Sequence, residues 1–207
     1  TQTRHVIKCC SLSIRAIHRG EFEEAEVSLA EAKALLTATR SSLQACPDVY
    51  YGGFIQDAEK EYAEARITFA VVKGKPIPSP DELSVDAAPY LNGMAEAVGE
   101  LRRHILDLLR LGEMTRSESV LAVMDEIYYM LISMDFPDAV TRGLRRSTDI
   151  ARGCLERTRG DLTSHMAGQQ LEKELLALRT RLSEMDGQLR TRSLPSQDQL
   201  DVARLLS

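Results

Sequence analysis

The sequence predicts an all-α protein, an antiparallel bundle of about seven helices. Every substantial segment sets its apolar residues at helical spacing, and no stretch shows the alternation of a strand. The breaks between segments fall at glycine or proline. At 207 residues, 43% hydrophobic and 28% charged, the chain suits one soluble domain with a real core. A formal net charge of −5 excludes a globally basic nucleic-acid binder, so any RNA contact must use a local basic patch. No apolar run approaches the ~18 residues that span a membrane, and no signal-peptide pattern opens the chain. Cys9, Cys10, Cys46 and Cys154 form no CxxC pair and no Cys/His ligand spacing. The expectation is a cytoplasmic protein with buried or free thiols, no zinc site and no membrane partner.

The first helix is expected from about Thr3 to Ile17, stopped by Gly20 in the left-handed conformation. The second covers about Glu21–Ala45, rich in Ala, Glu and Leu, and ends before Pro47. Asp48 is the expected N-cap of the third, which runs to Lys73–Gly74. On it Phe54, Ala58, Tyr62, Ala65, Phe69 and Val72 gather into one apolar arc at roughly 100° per residue. The proline-punctuated loop KPIPSPDELS follows. The fourth helix spans about Val85–Leu111, with Tyr90, Met94, Val98, Leu101, Ile105 and Leu108 as its buried stripe and Gly112 as its cap. A fifth starts near Ser117, and Asp135–Phe136–Pro137 breaks it. Pro137 is placed as N1 of a sixth helix that runs to about Thr158 and ends at Gly160. From Gln169, Leu171, Leu175, Leu178, Leu182, Met185 and Leu189 repeat at four and three, a coiled-coil seam with charged flanks. Its modest length suits a helix docked on the body equally well. After Gly187 a flexible tail through Ser193–Leu194–Pro195–Ser196 is expected. These features divide the chain into a helical domain over 1–165 and a heptad segment with tail over 166–207.

The chemistry concentrates in two acidic pairs. Glu61 and Glu64 lie on neighbouring turns at the edge of the third helix's apolar arc. Taken singly, each reads as a solvated boundary residue. A second pair, Glu96 and Glu100, flanks the stripe of the fourth helix, with Arg103 and Asp107 in the same band. Gly93 faces that side and permits close approach of a backbone or a substrate. If the third and fourth helices pack antiparallel across the proline loop, each pair stands about 15 Å from the connection at ~1.5 Å per residue. The two pairs then meet. Four converging carboxylates require a compensating cation. Hard oxygen ligands favour Mg2+ or Mn2+, which can activate water and stabilise phosphoryl oxygens. A di-iron centre needs Glu-x-x-His pairs on two helices, and neither acidic pair has a His three residues on.

Glu61-Tyr62-Ala63-Glu64-Ala65 is similar to the E-Y-x-E-A signature of translin-associated factor X, in the translin family. Tyr90-Leu91-Asn92-Gly93, followed by Gly99-Glu100-Leu101, resembles that family's Y-L-x-G…G-E-L motif. The early Ala/Leu-rich helix, the proline-rich loop and Arg159–Gly160 agree, and the resemblance covers roughly Arg4–Asp161, nearest to the archaeal single-protein members. It implies an all-α subunit that assembles into a closed homo-oligomeric shell, roughly an octamer. It further implies a Mg2+-dependent endoribonuclease that cleaves single-stranded RNA inside the shell. The catalytic metal ligands fall on Glu61, Glu64, Glu96 and Glu100. Position 96 departs from the family, whose catalytic subunits carry Asp there. The alternative within the family is a non-catalytic shell of the translin type that binds single-stranded RNA or DNA.

An acidic site repels RNA unless cations and basic side chains offset it. The nucleic-acid-binding residues expected here are Arg102 and Arg103, directly after Glu100, and Arg142, Arg145, Arg146 and Arg152 in the stretch TRGLRRSTDIAR. A solvated face of ion pairs explains the latter cluster equally well. Tyr50, Tyr51 and Phe54 offer stacking surfaces, although aromatics at helical spacing more often belong to the core.

Overall fold

Helix α1 (Gln2–Arg19) buries one face at spacings of three and four, from Val6 and Cys10 to Ser13 and Ile17. Gly20, at a φ of 77°, turns the chain into α2 (Phe22–Leu43). The two are antiparallel. Ser13 Oγ donates to the carbonyl of Ala25 near the turn (3.1 Å), and Thr39 Oγ1 donates to Gln2 Oε1 at the far end (3.1 Å). The structure, a computed structural model, describes residues 2–43 and 53–193, with side chains to 189. The expected features at Cys46, Pro47, Asp48, Tyr50, Tyr51 and Leu194–Ser196 lie outside the described residues.

Helix α3 (Phe54–Val72) is the central element, buried on nearly every side. The apolar arc from Ala58 to Val72 is buried, and Ile55, Ala63, Ile67 and Ala70 extend it round the helix. Phe54 instead stands exposed, because it is the first residue of the helix and precedes the packed turns. After Gly74 the chain makes one helical turn, α4 (Pro80–Leu83). A reciprocal cap holds that turn: Glu82 N donates to Ser79 Oγ (3.2 Å) and Ser79 N donates to Glu82 Oε2 (2.7 Å). Helix α5 (Ala87–Arg110) then buries the stripe from Tyr90 to Leu108 as expected.

The orientation of α3 and α5 corrects the sequence expectation. They run in the same direction. Arg40 Nε contacts Glu59 Oε1 (2.9 Å) early in α3, and Arg40 Nη2 contacts Asp86 Oδ1 (2.8 Å) just before α5 begins. At the other end, Arg116, just beyond α5, donates to the carbonyl of Val72 at the close of α3 (3.2 Å). The proline segment is therefore not a short hairpin loop. Pro76 and Pro78 hold it out of helix up to the α4 turn that Pro80 opens, so it returns along the body, fixed where Tyr90 Oη donates to Pro78 O (2.8 Å).

Helix α6 (Met114–Ile132) turns back at Gly112, and a single turn α7 (Asp138–Thr141) follows the Pro137 break. Positive φ at Arg142 and Gly143 ends α7. The last helix, α8, runs without interruption over Leu144–Ser193. It replaces the separate sixth and heptad helices expected from sequence. A mid-helix glycine costs about 1 kcal/mol but stops a helix only where the chain turns left-handed beyond it. Gly153, Gly160, Gly168 and Gly187 all stay helical, while Ala151, Leu155, Thr158 and Leu162 keep the first part of α8 buried. The chain divides into two units, one of Thr1–Leu162 and one beginning at Thr163. No strand occurs among the described residues, and no helix among them is long and apolar enough to cross a membrane. Cys9, Cys10 and Cys154 are buried free thiols.

Helix α5 approaches α3 closely at Gly93. A Cβ built there would meet Lys60 O at 2.4 Å, the Ala63 Cβ at 2.9 Å and Glu64 N at 3.0 Å. Two of those three atoms are backbone, which cannot step aside as a side chain can. Gly93→Ala is expected to cost about 1–3 kcal/mol as overpacking. Thermal unfolding should show a melting temperature lower by several degrees. An unchanged value contradicts the close contact.

A candidate metal centre

Gly93 lies on α5 one turn before Glu96, and it packs on α3 between Lys60 and Glu64. That contact sets the two acidic edges side by side. Carboxylate oxygens of Glu61, Glu64 and Glu96 all fall within 4.8 Å of one another, and all three residues are half-buried. Glu100, the fourth expected ligand, is adjacent but turned to another partner: His18 Nε2 lies 2.6 Å from its Oε2. His18 reaches it from the end of α1 and is only 3% exposed.

The electrostatics follow from this packing. Burial first, and then the charges of Glu61, Glu96 and Glu100, push the Glu64 carboxyl up to about 8. Burial also raises Glu61, against the pull of Lys60 and with the push of Glu96. Glu100 moves the other way, because the His18 hydrogen bond outweighs burial and holds it below the usual carboxylate range. One cation stands inside the cluster. Lys60 Nζ is 2.7 Å from Glu96 Oε1 and 3.6 Å from Glu61 Oε1. Burial works against its charge, but the Glu96 hydrogen bond and the surrounding carboxylates raise its pKa overall. A single ammonium leaves the trio short of positive charge, as the state of Glu64 shows. A hard-oxygen donor set of this kind fits Mg2+ or Mn2+.

The basic residues are placed differently. Arg102 pins α5 to α8 through Asp161 Oδ2 (2.8 Å) and the Thr158 hydroxyl (3.1 Å). Arg103 is exposed and close enough to Glu100 to favour its anion. Arg145 and Arg146 are exposed on the first turn of α8. Ser147, next along, donates to Asn92 Oδ1 (2.9 Å), one turn before Glu96. Arg142 is exposed in the turn before α8, with its Nη2 beside Gly53. Arg152 is exposed and pairs with Glu156 (2.9 Å).

Two contributors to the site, and one buried carboxylate outside it, escaped the sequence reading. Lys60 adjoins Glu61 in the chain, and its adjacency was a usable signal. His18 lies 82 residues from Glu100, beyond the reach of any spacing argument. Glu59 is fully buried against Arg40, and burial pushes it up to about 7. A second group able to hold a metal, His5, Cys9 and Glu31, joins α1 to α2. The spacing of Cys with His alone had concealed it, because Glu31 comes from the neighbouring helix.

Comparison with known proteins places the fold. No protein-family model matches the chain. It is 35% identical to the chain in the structure of an AfC3PO–duplex RNA complex, covering 82% of this chain and 87% of that one, with a TM-score of 0.77. The chain belongs to the translin/C3PO family. The crystal structure of AfC3PO itself gives a TM-score of 0.75 at 35% identity, covering 82% of this chain and 88% of that one. The fold is shared with apo-NeC3PO at 21% identity, with a TM-score of 0.72 over 79% of this chain and 86% of that one. An uncharacterised protein of Methanocaldococcus jannaschii is 28% identical over 187 residues, 88% of this chain and 81% of its own length. Within this C3PO-like body, the carboxylate trio is supplied by α3 and α5.

The raised Glu64 carboxyl ties the charge of the trio to pH. Its folded pKa lies above its unfolded value, so its contribution to cation-free stability is full below about 4.5 and lost as pH rises through about 8. A divalent cation held by the ionised trio would therefore stabilise the fold increasingly over the same interval. The Mg2+-induced rise in melting temperature should be larger at about pH 9 than at about pH 6. Glu64→Gln should flatten that difference, and an equal rise in the parent protein at both pH values contradicts the assignment.

Proposed function

We propose that this protein is a Mg2+-dependent endoribonuclease that cleaves single-stranded RNA within a homo-oligomeric shell. The observation that carries the proposal is the convergence of Glu61, Glu64 and Glu96 beside an ionised Glu100. Family membership supports RNA as the substrate, since a relative has been solved with duplex RNA. Glu61, Glu64 and Glu96 are the residues that would hold the cation. When bound, Mg2+ or Mn2+ supplies Lewis-acid charge to a phosphodiester and makes a water molecule more acidic.

The chain's own groups supply the rest. Glu100, kept ionised by His18, is the group beside the trio able to accept a proton from an attacking water. Lys60 neutralises Glu96 and Glu61 while the cation is absent, and its ammonium is then free to turn toward phosphate. Arg103, exposed beside Glu100, offsets the repulsion between the acidic site and the RNA backbone, with Arg145 and Arg146 as further phosphate contacts. Glu96 is one methylene longer than the Asp of the family's catalytic subunits. The Lys60 contact holds that longer side chain at the trio.

The second reading is a non-catalytic RNA- or DNA-binding shell. The observation favouring it is that Lys60 already partly neutralises the carboxylates. A labelled single-stranded RNA, with a duplex of the same sequence alongside, distinguishes the two. Glu61→Gln/Glu96→Gln should slow Mg2+-dependent cleavage of the single strand by at least about a hundredfold, with native mass and RNA binding retained. Cleavage by the double variant at the parent rate shows that the site is misassigned. Salt-sensitive binding by the parent protein, indifferent to EDTA and without cleavage, establishes the non-catalytic shell.

A further inference from the structure

The unit that begins at Thr163 carries an apolar seam that stands exposed among the described residues. Leu171, Leu175, Leu178, Leu182, Met185 and Leu189 lie along one face of α8, each between 53% and 63% exposed. Isolated exposed leucines are common, but a stripe at alternating spacings of four and three over five helical turns is a coiled-coil seam. Leu175, Leu182 and Leu189 occupy the a positions, and Leu171, Leu178 and Met185 the d positions.

The flanking charges identify the occupant. With this register, Glu174 and Arg181 fall at g, and Arg179 and Asp186 at e. Two parallel, in-register copies bring each g residue against the e residue five positions on in the partner chain. Glu174 then meets Arg179 and Arg181 meets Asp186, each pair occurring twice by symmetry. An antiparallel pairing over the same seam instead opposes Arg179 to Arg179, Arg181 to Arg181 and Glu172 to Asp186. Both oppositely charged g–e pairs attract in the parallel arrangement, Glu172 there faces the uncharged Ala167, and like charges oppose one another in the antiparallel one, which is an orientation signal. We propose that residues 171–189 of α8 form a parallel, in-register coiled coil with the same segment of a second copy of this chain. The proposal is independent of the nuclease assignment. The seam covers only about three heptads, a marginal length for isolated helices, so pairing gains most where other contacts already hold the copies near one another.

Cysteine cross-linking of the full-length protein tests it. Leu182→Cys places a thiol at a central a position, where parallel in-register chains bring identical residues together. Thr180→Cys places one at f, on the outside of the helix. Under mild oxidation the first should give at least about tenfold more covalent dimer than the second or the parent protein, because only facing Cα atoms come within disulfide reach. Arg181→Glu in the Leu182→Cys background should reduce that yield, and Arg181→Glu/Asp186→Arg should restore it. Equal yields from Leu182→Cys and Thr180→Cys overturn the proposal, as does the absence of cross-linking. Cross-linking of Leu182→Cys only to a Leu178→Cys chain overturns it in favour of antiparallel pairing. A yield from Leu182→Cys unaffected by charge reversal at Arg181 removes the basis for the parallel orientation.

Discussion

The body of this protein depends on one steric constraint, the contact of α5 with α3 at Gly93. Lys60 O, Ala63 and Glu64 N leave no room for a Cβ at that position. The helices approach so closely that side chains beside the contact must share space, and those side chains are carboxylates. Closeness serves core packing on the inner side, where Tyr62, Met94 and Leu101 are buried, and it creates an electrostatic strain at the rim. The strain appears as a Glu64 carboxyl pushed up to about 8 beside a Glu100 held low by His18. Divergent behaviour of neighbouring carboxyls is a mark of functional sites, because burial and charge partners sort them into different roles.

Lys60 and His18 show how the protein tolerates this arrangement. Each brings a polar or cationic group to a carboxylate that would otherwise be poorly compensated. Removing one partner of such a half-buried pair leaves the other costly to keep ionised. The same groups leave the trio of Glu61, Glu64 and Glu96 undercompensated, a condition that a bound divalent cation would relieve. Lys60 tethers the Glu96 side chain at the cluster.

Much of the fold was legible in the sequence because helical periodicity and glycine stops are local signals. Gly20, Gly74 and Gly112 close helices at positive φ, and the α5 stripe is buried residue for residue. The relative direction of α3 and α5 was not legible. It depends on whether the proline segment folds back or runs the length of the body, which is decided by distant contacts such as Tyr90 with Pro78 and Arg40 with Asp86. The two acidic pairs meet all the same, because Gly93 packs between Lys60 and Glu64 and brings Glu96 beside them. The continuity of α8 was hidden for a related reason, since a glycine marks a helix end only when the residues beyond it turn away. At the site, the carboxylates were visible as paired residues on single helices, whereas His18 belongs to another helix and leaves no trace in spacing.

The most direct test of the central claim is a crystal of this protein soaked in Mn2+, with data collected to show anomalous scattering from manganese. The close α3–α5 contact and its carboxylate trio predict a peak within coordination distance of oxygens from Glu61, Glu64 and Glu96, with Lys60 Nζ displaced from Glu96. A peak confined to His5, Cys9 and Glu31, or none near the trio at saturating Mn2+, contradicts it.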